Sequence, residues 1–298
     1  MKKILSLTLV CLIALTFFSA CSKSDKPSAA ERELSITFDS HYENINESSR
    51  RAYTSLCEAV INGDEQVLFN TAMTEDVNQL YYTSFPLNVL VKSLNGLESG
   101  NGLHIEYNNE SAEHKKLVED FTDKVNEIMN SCGFGKVSGD RYVFNLYQYI
   151  CENIELDETV LSPYDAITTS KGSTQAISQM FEYLVLQGGG KACHITNFDS
   201  GANLLSGAML SGNWYLFCPA LEIKNNGGKG LTCFAMSYER AAETMGVSTF
   251  EYTDSVELDS DIFSQTAFDE LKTASQYTVN GNEITANCNG TQFVLPIK

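Results

Sequence analysis

The most informative segment of the sequence for the fold is KGSTQAISQMFEYLVLQGGGKACHITNF, residues 171–198. Its first half carries apolar side chains at helical spacing, namely Ile177, Met180, Phe181 and Leu184. Ser173 stands just before them and is a typical helix N-cap residue. Three consecutive glycines at 188–190 end the helical pattern, and a strand-like run at 192–196 follows. The stretch therefore predicts a helix that begins at Ser173 and leads directly into a strand.

Helical patterns dominate the chain before this segment, and strand patterns dominate after it. Apolar stripes predict earlier helices over residues 47–62, 111–132 and 138–154. Strand signals follow at 204–210, 214–217 and 231–236, and then a short helix at 238–245. Two Asn-Gly turns, at 280–281 and 289–290, predict a short C-terminal β meander. Because helices and strands segregate along the chain, the sequence predicts an α+β fold with helices packed on an antiparallel sheet.

The patterns divide the 298-residue chain into five segments. They are a signal peptide (1–20), a tether (21–34), a helical and extended lead-in (35–137), a core (138–248) and a C-terminal extension (249–298).

The charge balance argues against a nucleic-acid partner. Lys and Arg number 20 against 38 Asp and Glu, for a formal charge of −18. Removal of Lys2 and Lys3 with the signal peptide would make it 18 − 38 = −20. A surface this acidic repels phosphate backbones. With 43% hydrophobic residues, the chain can nevertheless bury a substantial core.

The N-terminus has the features of an export signal. Lys2 and Lys3 precede an apolar run at 4–18, and the small residues of Ser19-Ala20 lead to Cys21. The segment Phe18-Ser19-Ala20-Cys21 resembles a bacterial lipobox, whose cysteine is lipidated and becomes the mature N-terminus. The resemblance implies an extracytoplasmic protein anchored to the bacterial cell membrane through Cys21. The alternative is an ordinary secretory signal in which Cys21 is incidental.

The remaining cysteines give no sign of a disulfide framework or a metal site. They are Cys57, Cys132, Cys151, Cys193, Cys218, Cys233 and Cys288. Their number is odd and no CxxC pair occurs, so we expect at least five of them to be small buried hydrophobic residues. The four histidines are scattered, without HxH or HExxH spacing, and we expect neither a metal nor another cofactor.

Ordered pieces of the central block resemble the transglutaminase-like superfamily, which has the architecture of papain-like cysteine hydrolases. Those pieces are residues 146–154, Ser162-Pro163-Tyr164, Lys171-Gly172-Ser173-Thr174-Gln175, Gly212-Asn213-Trp214-Tyr215, Cys218-Pro219 and 233–237. They are similar, in order, to the family's lead-in helix, S-x-Y segment, G-x-C-Q nucleophile turn, G-x-W-Y strand, D-P pair and final strand. The resemblance implies a core of helices packed on an antiparallel sheet, with a cleft at the start of the helix that follows Ser173.

The family's catalytic residues are missing at the matching positions. Thr174 stands where the family has its nucleophilic cysteine, Asn203 where it has histidine, and Cys218 where it has aspartate. A threonine hydroxyl is far less acidic than a thiol, and an amide has no titratable proton near neutral pH. The three residues cannot reproduce the relay of nucleophile, base and orienting carboxylate. The resemblance therefore implies a degenerate triad.

Some alternatives remain open at this level. His194 would be a base if it lay beside Thr174, and Cys218 would be a nucleophile if a histidine lay beside it. The carboxylates Asp157, Glu158 and Glu106 could be read as a glycosidase site, but they are candidates only because the chain is rich in acidic residues, and we favour a solvated acidic face. The only tryptophan, Trp214, is either core beneath the helix of Thr174, which we favour, or a wall of the vestigial cleft.

The sequence thus predicts a surface-anchored lipoprotein with a catalytically inactive transglutaminase-like domain, that is, a pseudoenzyme. Its ligand would be a peptide, a protein or a cell-wall fragment, held by Thr174, Gln175, Asn203 and Trp214. One alternative is an active peptidase or amidase that uses displaced residues. Another is a passive structural or adhesive surface protein.

Overall fold

The structure, a computed structural model, describes residues 32–69, 75–98, 100–197, 205–252 and 256–297. Its helices are α1 (Glu47–Asn62), α2 (Glu75–Ser84), α3 (Ser111–Ser131), α4 (Gly139–Asn153), α5 (Pro163–Thr169), α6 (Thr174–Gln187), α7 (Pro219–Asn226) and α8 (Tyr238–Met245). Its strands are β1 (Gln66–Leu68), β2 (Val91–Gly96), β3 (Gly102–Tyr107), β4 (Glu155–Leu156), β5 (Lys171–Gly172), β6 (Ala192–Asn197), β7 (Leu205–Leu210), β8 (Asn213–Phe217), β9 (Phe250–Tyr252), β10 (Tyr277–Asn280), β11 (Glu283–Cys288) and β12 (Thr291–Pro296). The predicted α+β class is confirmed.

The helices begin and end where the sequence provides caps. The side chain of Asn46 accepts the N–H of Ser49 at the start of α1, and Gly63 ends that helix in the left-handed conformation. Ser138 caps α4 and Ser173 caps α6 in the same way. The periodic apolar stripes and these caps act together, so the predicted bounds of the long helices agree with the structure within two residues.

The central sheet is antiparallel, with strand order β8-β7-β6-β9. The hairpin between β7 and β8 pairs Leu210 with Asn213 and Ser206 with Phe217. On the other side of β7, Ser206 is paired with His194 of β6. These three residues form one row across the sheet, and alternation along the strands places their side chains on one face.

Helix α6 packs on that face and is the central helix of the molecule. Every residue from Ala176 to Gln187 is buried. Its polar residue Ser178 hydrogen-bonds Ser206 of β7, with 2.8 Å between the hydroxyl oxygens. A helix buried on all sides belongs to the core rather than to the surface, so α6 is surrounded by elements that the sequence assigns to separate segments.

The opposite face of the sheet covers a second hydrophobic cluster. It contains Cys193, Ile195, Leu216, Cys218, Cys233, Met236 and Phe263, with Trp214 packed against it. Helix α8 closes this side through Ala241.

The chain enters the fold as an extended strap, residues 33–44, which runs along the end of α6 and the start of β6. The backbone of Ser35 exchanges two hydrogen bonds with the side-chain amide of Gln187, at 3.1 and 2.6 Å. Tyr53 donates its hydroxyl to the carbonyl of Thr37 at 3.0 Å. The strap ends in a 3-10 turn, Ser40–Asn44.

Two smaller antiparallel sheets complete the fold. One has the order β1-β3-β2 and belongs to the lead-in, and the other has the order β10-β11-β12. The latter confirms the predicted C-terminal meander. It packs on the same core as the helices, through Ile284, Ala286, Cys288 and Ile297.

The predicted strand at 231–236 is wrong. Only Met236 pairs there, in an isolated bridge with Leu216, and Ala235 has a left-handed φ of 47°. The reason is Arg240, a buried residue of α8. Its guanidinium donates to the carbonyls of Leu231, Thr232 and Phe234, so these groups are satisfied by a side chain rather than by a neighbouring strand.

The described residues from 33 onward group into one compact unit, in which the predicted lead-in, core and C-terminal extension share a hydrophobic cluster. Within the described residues, no helix is both long and apolar enough to span a membrane. The predicted signal peptide and the lipidation residue Cys21 lie outside the described residues.

Candidate functional site

Thr174 is the first residue of α6, as the family resemblance implies. The hydroxyl of Ser173 accepts the N–H of Ala176 at 3.2 Å and fixes the start of the helix. Thr174 is half-buried, and the next residue, Gln175, is exposed.

A carboxylate that sequence reasoning did not connect to Thr174 covers this helix start. The Thr174 hydroxyl donates to Glu158 Oε1 at 2.9 Å, and the Thr174 N–H donates to Glu158 Oε2 at 3.3 Å. Glu158 lies in the turn between β4 and α5 and is itself exposed. A negative charge at this place complements the positive end of the helix dipole. The contact satisfies the Thr174 N–H and gives the Thr174 hydroxyl an acceptor.

Cys218 lies at the same end of the sheet as Thr174 but faces the other way. Ser178, one turn into α6, contacts Ser206, which pairs with Phe217 at the end of β8. Phe217 points toward α6, and its ring lies 5.1 Å from that of Phe181. The next side chain, Cys218, therefore points to the opposite face, where it joins the second cluster. Burial raises the pKa of its thiol to about 12.

Trp214 is also on the face opposite α6, which contradicts its predicted place beneath the helix of Thr174 or in the wall of the cleft. Its ring lies 5.9 Å from that of Phe263, and its side chain is half-buried. The physical reason is the period of two along β8: Tyr215 and Phe217 face the helices, so Trp214 and Leu216 cannot. Thr174 and Trp214 therefore do not line one pocket, and Asn203 lies outside the described residues.

His194 is buried beneath α6 and does not reach Thr174. Its Nδ1 atom lies 3.6 Å from Oε2 of Glu182. Glu182 is eight residues after Thr174, which is about 12 Å along a helix at 1.5 Å per residue. Burial lowers the pKa of His194 to about 4, so the imidazole is neutral near pH 7. His194 is therefore not the base for Thr174.

The thiols offer no other nucleophile in the described part of the chain. All seven cysteines there are reduced and buried, in agreement with the prediction from their apolar neighbours. Burial raises the pKa of Cys57, Cys151 and Cys193 well above that of a free thiol. The nucleophilic thiolate is thus absent from these sites near neutral pH. No group of three metal-ligating side chains occurs among the described residues.

The polar residues that the structure does gather were missed by sequence reasoning. Glu222 of α7 is buried and accepts hydrogen bonds from Tyr147, Asn226, Thr232 and the N–H of Cys233. Glu182 is buried against His194. The available signal was a carboxylate inside a mainly apolar run, most visible at Glu182 within residues 180–186.

Comparison with known proteins adds no relative. The chain matches no protein-family model, and a search of curated proteins finds none that is similar to it.

Proposed function

We propose that the chain is a lipid-anchored, extracytoplasmic binding protein whose transglutaminase-like core does not catalyse the family's reaction. The observation that carries the proposal is the arrangement at the start of α6. There Thr174 is occupied by the Glu158 carboxylate, and Cys218 is buried on the opposite face of the sheet. A relay needs a nucleophile, a base and an orienting group within hydrogen-bond reach of one another. Thr174 and Cys218 do not meet that condition.

The binding part of the proposal rests on the exposed groups at this helix start. Gln175 presents an amide to solvent, and Glu158, which accepts from the neighbouring Thr174, is an exposed carboxylate. Together they offer a donor, an acceptor and a negative charge to a peptide or cell-wall fragment. The acidic surface as a whole favours ligands that carry amino groups.

Binding is tested with two matched glutamine variants and a panel of peptides and peptidoglycan fragments, by calorimetry on residues 22–298. Gln175→Ala should weaken binding of any hit at least tenfold, whereas the exposed Gln292→Ala on β12 should leave it unchanged. Equal losses in both variants, or no binding by any member of the panel, would favour a passive structural protein instead.

A second function, an enzyme with displaced residues, is favoured by one contact, the hydrogen bond from the Thr174 hydroxyl to Glu158. A carboxylate is a weak base for a hydroxyl, so we expect no hydrolysis or cross-linking of Gln- or Lys-containing peptides by the unmodified protein. Turnover that disappears in both Thr174→Ala and Glu158→Gln would establish this second function and overturn the first.

Anchoring is tested separately in cells. Cys21→Ala should move the protein from the membrane fraction to the soluble or culture fraction, because a lipid rather than a spanning helix would hold it. A control substitution of the neighbouring Ser22→Ala should leave the protein in the membrane fraction. A Cys21→Ala protein that resists extraction at high salt would contradict lipidation.

A further inference from the structure

A cavity of about 330 Å³ lies between the turn that follows α1, strand β3 and the start of α3. Ionisable and aromatic side chains form much of its wall, namely Glu65, His104, Glu106, Tyr107, Glu110 and His114. None of these residues belongs to the site at the start of α6. A concave site of this size is typical of pockets for small organic molecules.

His114 of α3 is 1% exposed and has one ring nitrogen with a hydrogen-bond partner and one without. Its Nε2 atom lies 2.7 Å from the carbonyl oxygen of Val60. Because a carbonyl oxygen can only accept, Nε2 carries a proton, and Nδ1 of the neutral ring is then an acceptor. Nδ1 is buried, and no donor among the described residues reaches it. A buried acceptor without a donor is unfavourable, so His114 favours a ligand that supplies an N–H or O–H group.

Neighbouring residues hold the His114 ring in this orientation. The ring of Tyr107 packs on it with 4.2 Å between the ring centres, and the Tyr107 hydroxyl donates to the carbonyl of Asp64 at 2.7 Å. A Cβ atom on Gly63 would lie 3.3 Å from Cδ2 of His114, so the Nε2–Cδ2 edge of the ring faces the end of α1. Nδ1 lies on the opposite edge. It is therefore the ring nitrogen that His114, as a wall of the cavity, has left for a ligand.

The charges around the cavity favour a cation. Glu65 and Glu110 line it with exposed side chains, and neither has an ion-pair partner in the described part of the chain. Glu110 precedes α3 without capping it, and Glu106 is already paired with Lys92 at 2.5 Å. The positive end of the α3 dipole amounts to about half a charge, which two carboxylates outweigh. The donor that Nδ1 lacks is therefore best carried by a positively charged group.

We propose that this cavity binds a primary ammonium group, which donates an N–H to Nδ1 of His114 and is attracted by the carboxylates of Glu65 and Glu110. An ammonium group has three donors and no acceptor, so it suits one lone pair and two negative charges. The site is independent of the function proposed above, because it shares no residue with the start of α6.

The test is a titration of the ¹⁵N-labelled full chain with 1,4-diaminobutane at constant ionic strength, read by NMR at the histidine ring nitrogens. The His114 signals are those that disappear in His114→Gln, or, if that variant does not fold, those with contacts to the Tyr107 ring protons. Diaminobutane should move the Nδ1 signal of His114 upfield in a saturable way, as expected when a ring nitrogen accepts a hydrogen bond. The Nδ1 signal of the buried His194 should stay in place.

Tetramethylammonium is the matched control ligand, because it carries the same kind of charge but has no N–H donor. It should leave the Nδ1 signal of His114 unmoved. An equal shift with tetramethylammonium, or no saturable shift with diaminobutane, would overturn the site and leave Nδ1 with a water molecule as its partner.

Glutamine variants test the two carboxylates without disturbing the buried histidine. Glu65→Gln and Glu110→Gln should each weaken diaminobutane binding about threefold or more. Glu113→Gln, an exposed change in the same turn of α3 but outside the cavity wall, should leave binding unchanged. Equal losses in all three variants would show that the amine senses only the acidic surface, which would also overturn the site.

The source of the ammonium group is decided by a second ligand, Nα-acetyl-lysine amide, which presents it as a peptide side chain does. Tighter binding of this compound than of diaminobutane would assign the cavity to a lysine side chain, and weaker binding would assign it to a free amine. Either result supports the site, provided that the Nδ1 signal of His114 moves.

Discussion

At the scale of single residues, a few buried polar side chains hold together segments that are far apart in sequence. Arg240 donates to the carbonyls of Leu231, Thr232 and Phe234 and also to that of Phe268. Its guanidinium thereby satisfies three carbonyls that a neighbouring strand would satisfy if residues 231–234 formed a strand. Burial of such a group raises the free energy of the folded state unless its donors and acceptors have hydrogen-bond partners. Each buried polar group therefore fixes the positions of the residues around it.

Glu222 is the clearest single-residue test of this arrangement. Its carboxylate is 0% exposed and accepts from Asn226 at 2.6 Å, from the N–H of Cys233 at 2.7 Å and from Thr232 at 3.0 Å. Glu222→Gln places an NH₂ group where these donors point and leaves at least one of them unpaired. We expect the free energy of unfolding to fall by about 2–4 kcal/mol in urea denaturation.

The control is Glu283→Gln at an exposed position of β11, which should change the free energy of unfolding by less than about 0.5 kcal/mol. If the two variants were equally stable, the hydrogen bonds to Glu222 would contribute nothing net, and the loop at 231–236 would have to be held by Arg240 and by packing.

At the scale of elements, α6 organises the fold because its residues 176–187 are all buried and yet include four polar residues apart from Tyr183. Each of the four contacts a different neighbour. Ser178 bonds β7, Gln179 donates to the carbonyl of Thr83 at the end of α2, Glu182 meets His194 of β6, and Gln187 pairs with Ser35. The apolar residues provide most of the burial energy, and the polar ones specify which element lies on which side.

The end of α7 provides a prediction at this scale. Gly227 and Gly228 both have a left-handed φ, of 57° and 75°. A Cβ atom on Gly227 would meet nothing within 4 Å, whereas one on Gly228 would lie 1.9 Å from the carbonyl oxygen of Cys151 in α4. Gly227→Ala should therefore lower the free energy of unfolding only by the backbone strain, about 1–2 kcal/mol.

Gly228→Ala must also push α7 away from α4, and its loss of stability should exceed that of Gly227→Ala by at least about 2 kcal/mol. Thermal unfolding of the two variants in parallel measures the difference. Equal losses would mean that the close approach of the two helices is not required by the fold.

At the scale of the whole molecule, two hydrophobic clusters share one sheet. The larger cluster runs from the strap through the helices to the C-terminal meander, and the smaller one lies on the other face with Trp214 at its edge. Because both clusters use side chains of β6, β7 and β8, neither can lose its packing without disturbing the sheet that supports the other.

This shared sheet predicts cooperative unfolding. Trp214, the only tryptophan, reports the smaller cluster by fluorescence, whereas far-ultraviolet circular dichroism reports the helices that belong mainly to the larger one. The two signals should follow the same urea transition. A fluorescence midpoint clearly below that of the dichroism would show that the smaller cluster unfolds by itself.

The elements that depend on local interactions alone follow from the amino-acid sequence. The apolar period and the Asn46, Ser138 and Ser173 caps define α1, α4 and α6, since a helix start needs only an acceptor side chain and a few following residues. The hairpin at 211–213 and the Asn-Gly turns are local in the same sense, and they were predicted correctly. The position of Thr174 at the first turn of a helix follows from the same local rules.

Features that depend on partners distant in sequence follow from the tertiary packing and from no local pattern. Which face of the sheet receives Trp214 and Cys218 depends on where α6 packs, because alternation gives two faces without saying which one is covered by the helix. The contacts of Thr174 with Glu158 and of Glu182 with His194 join residues that no periodic pattern relates. The loop at 231–236 looked like a strand because its side chains are apolar, and it is not one because a buried arginine satisfies its carbonyls. Local chemistry specifies the elements, and the partners of buried polar groups specify how those elements meet.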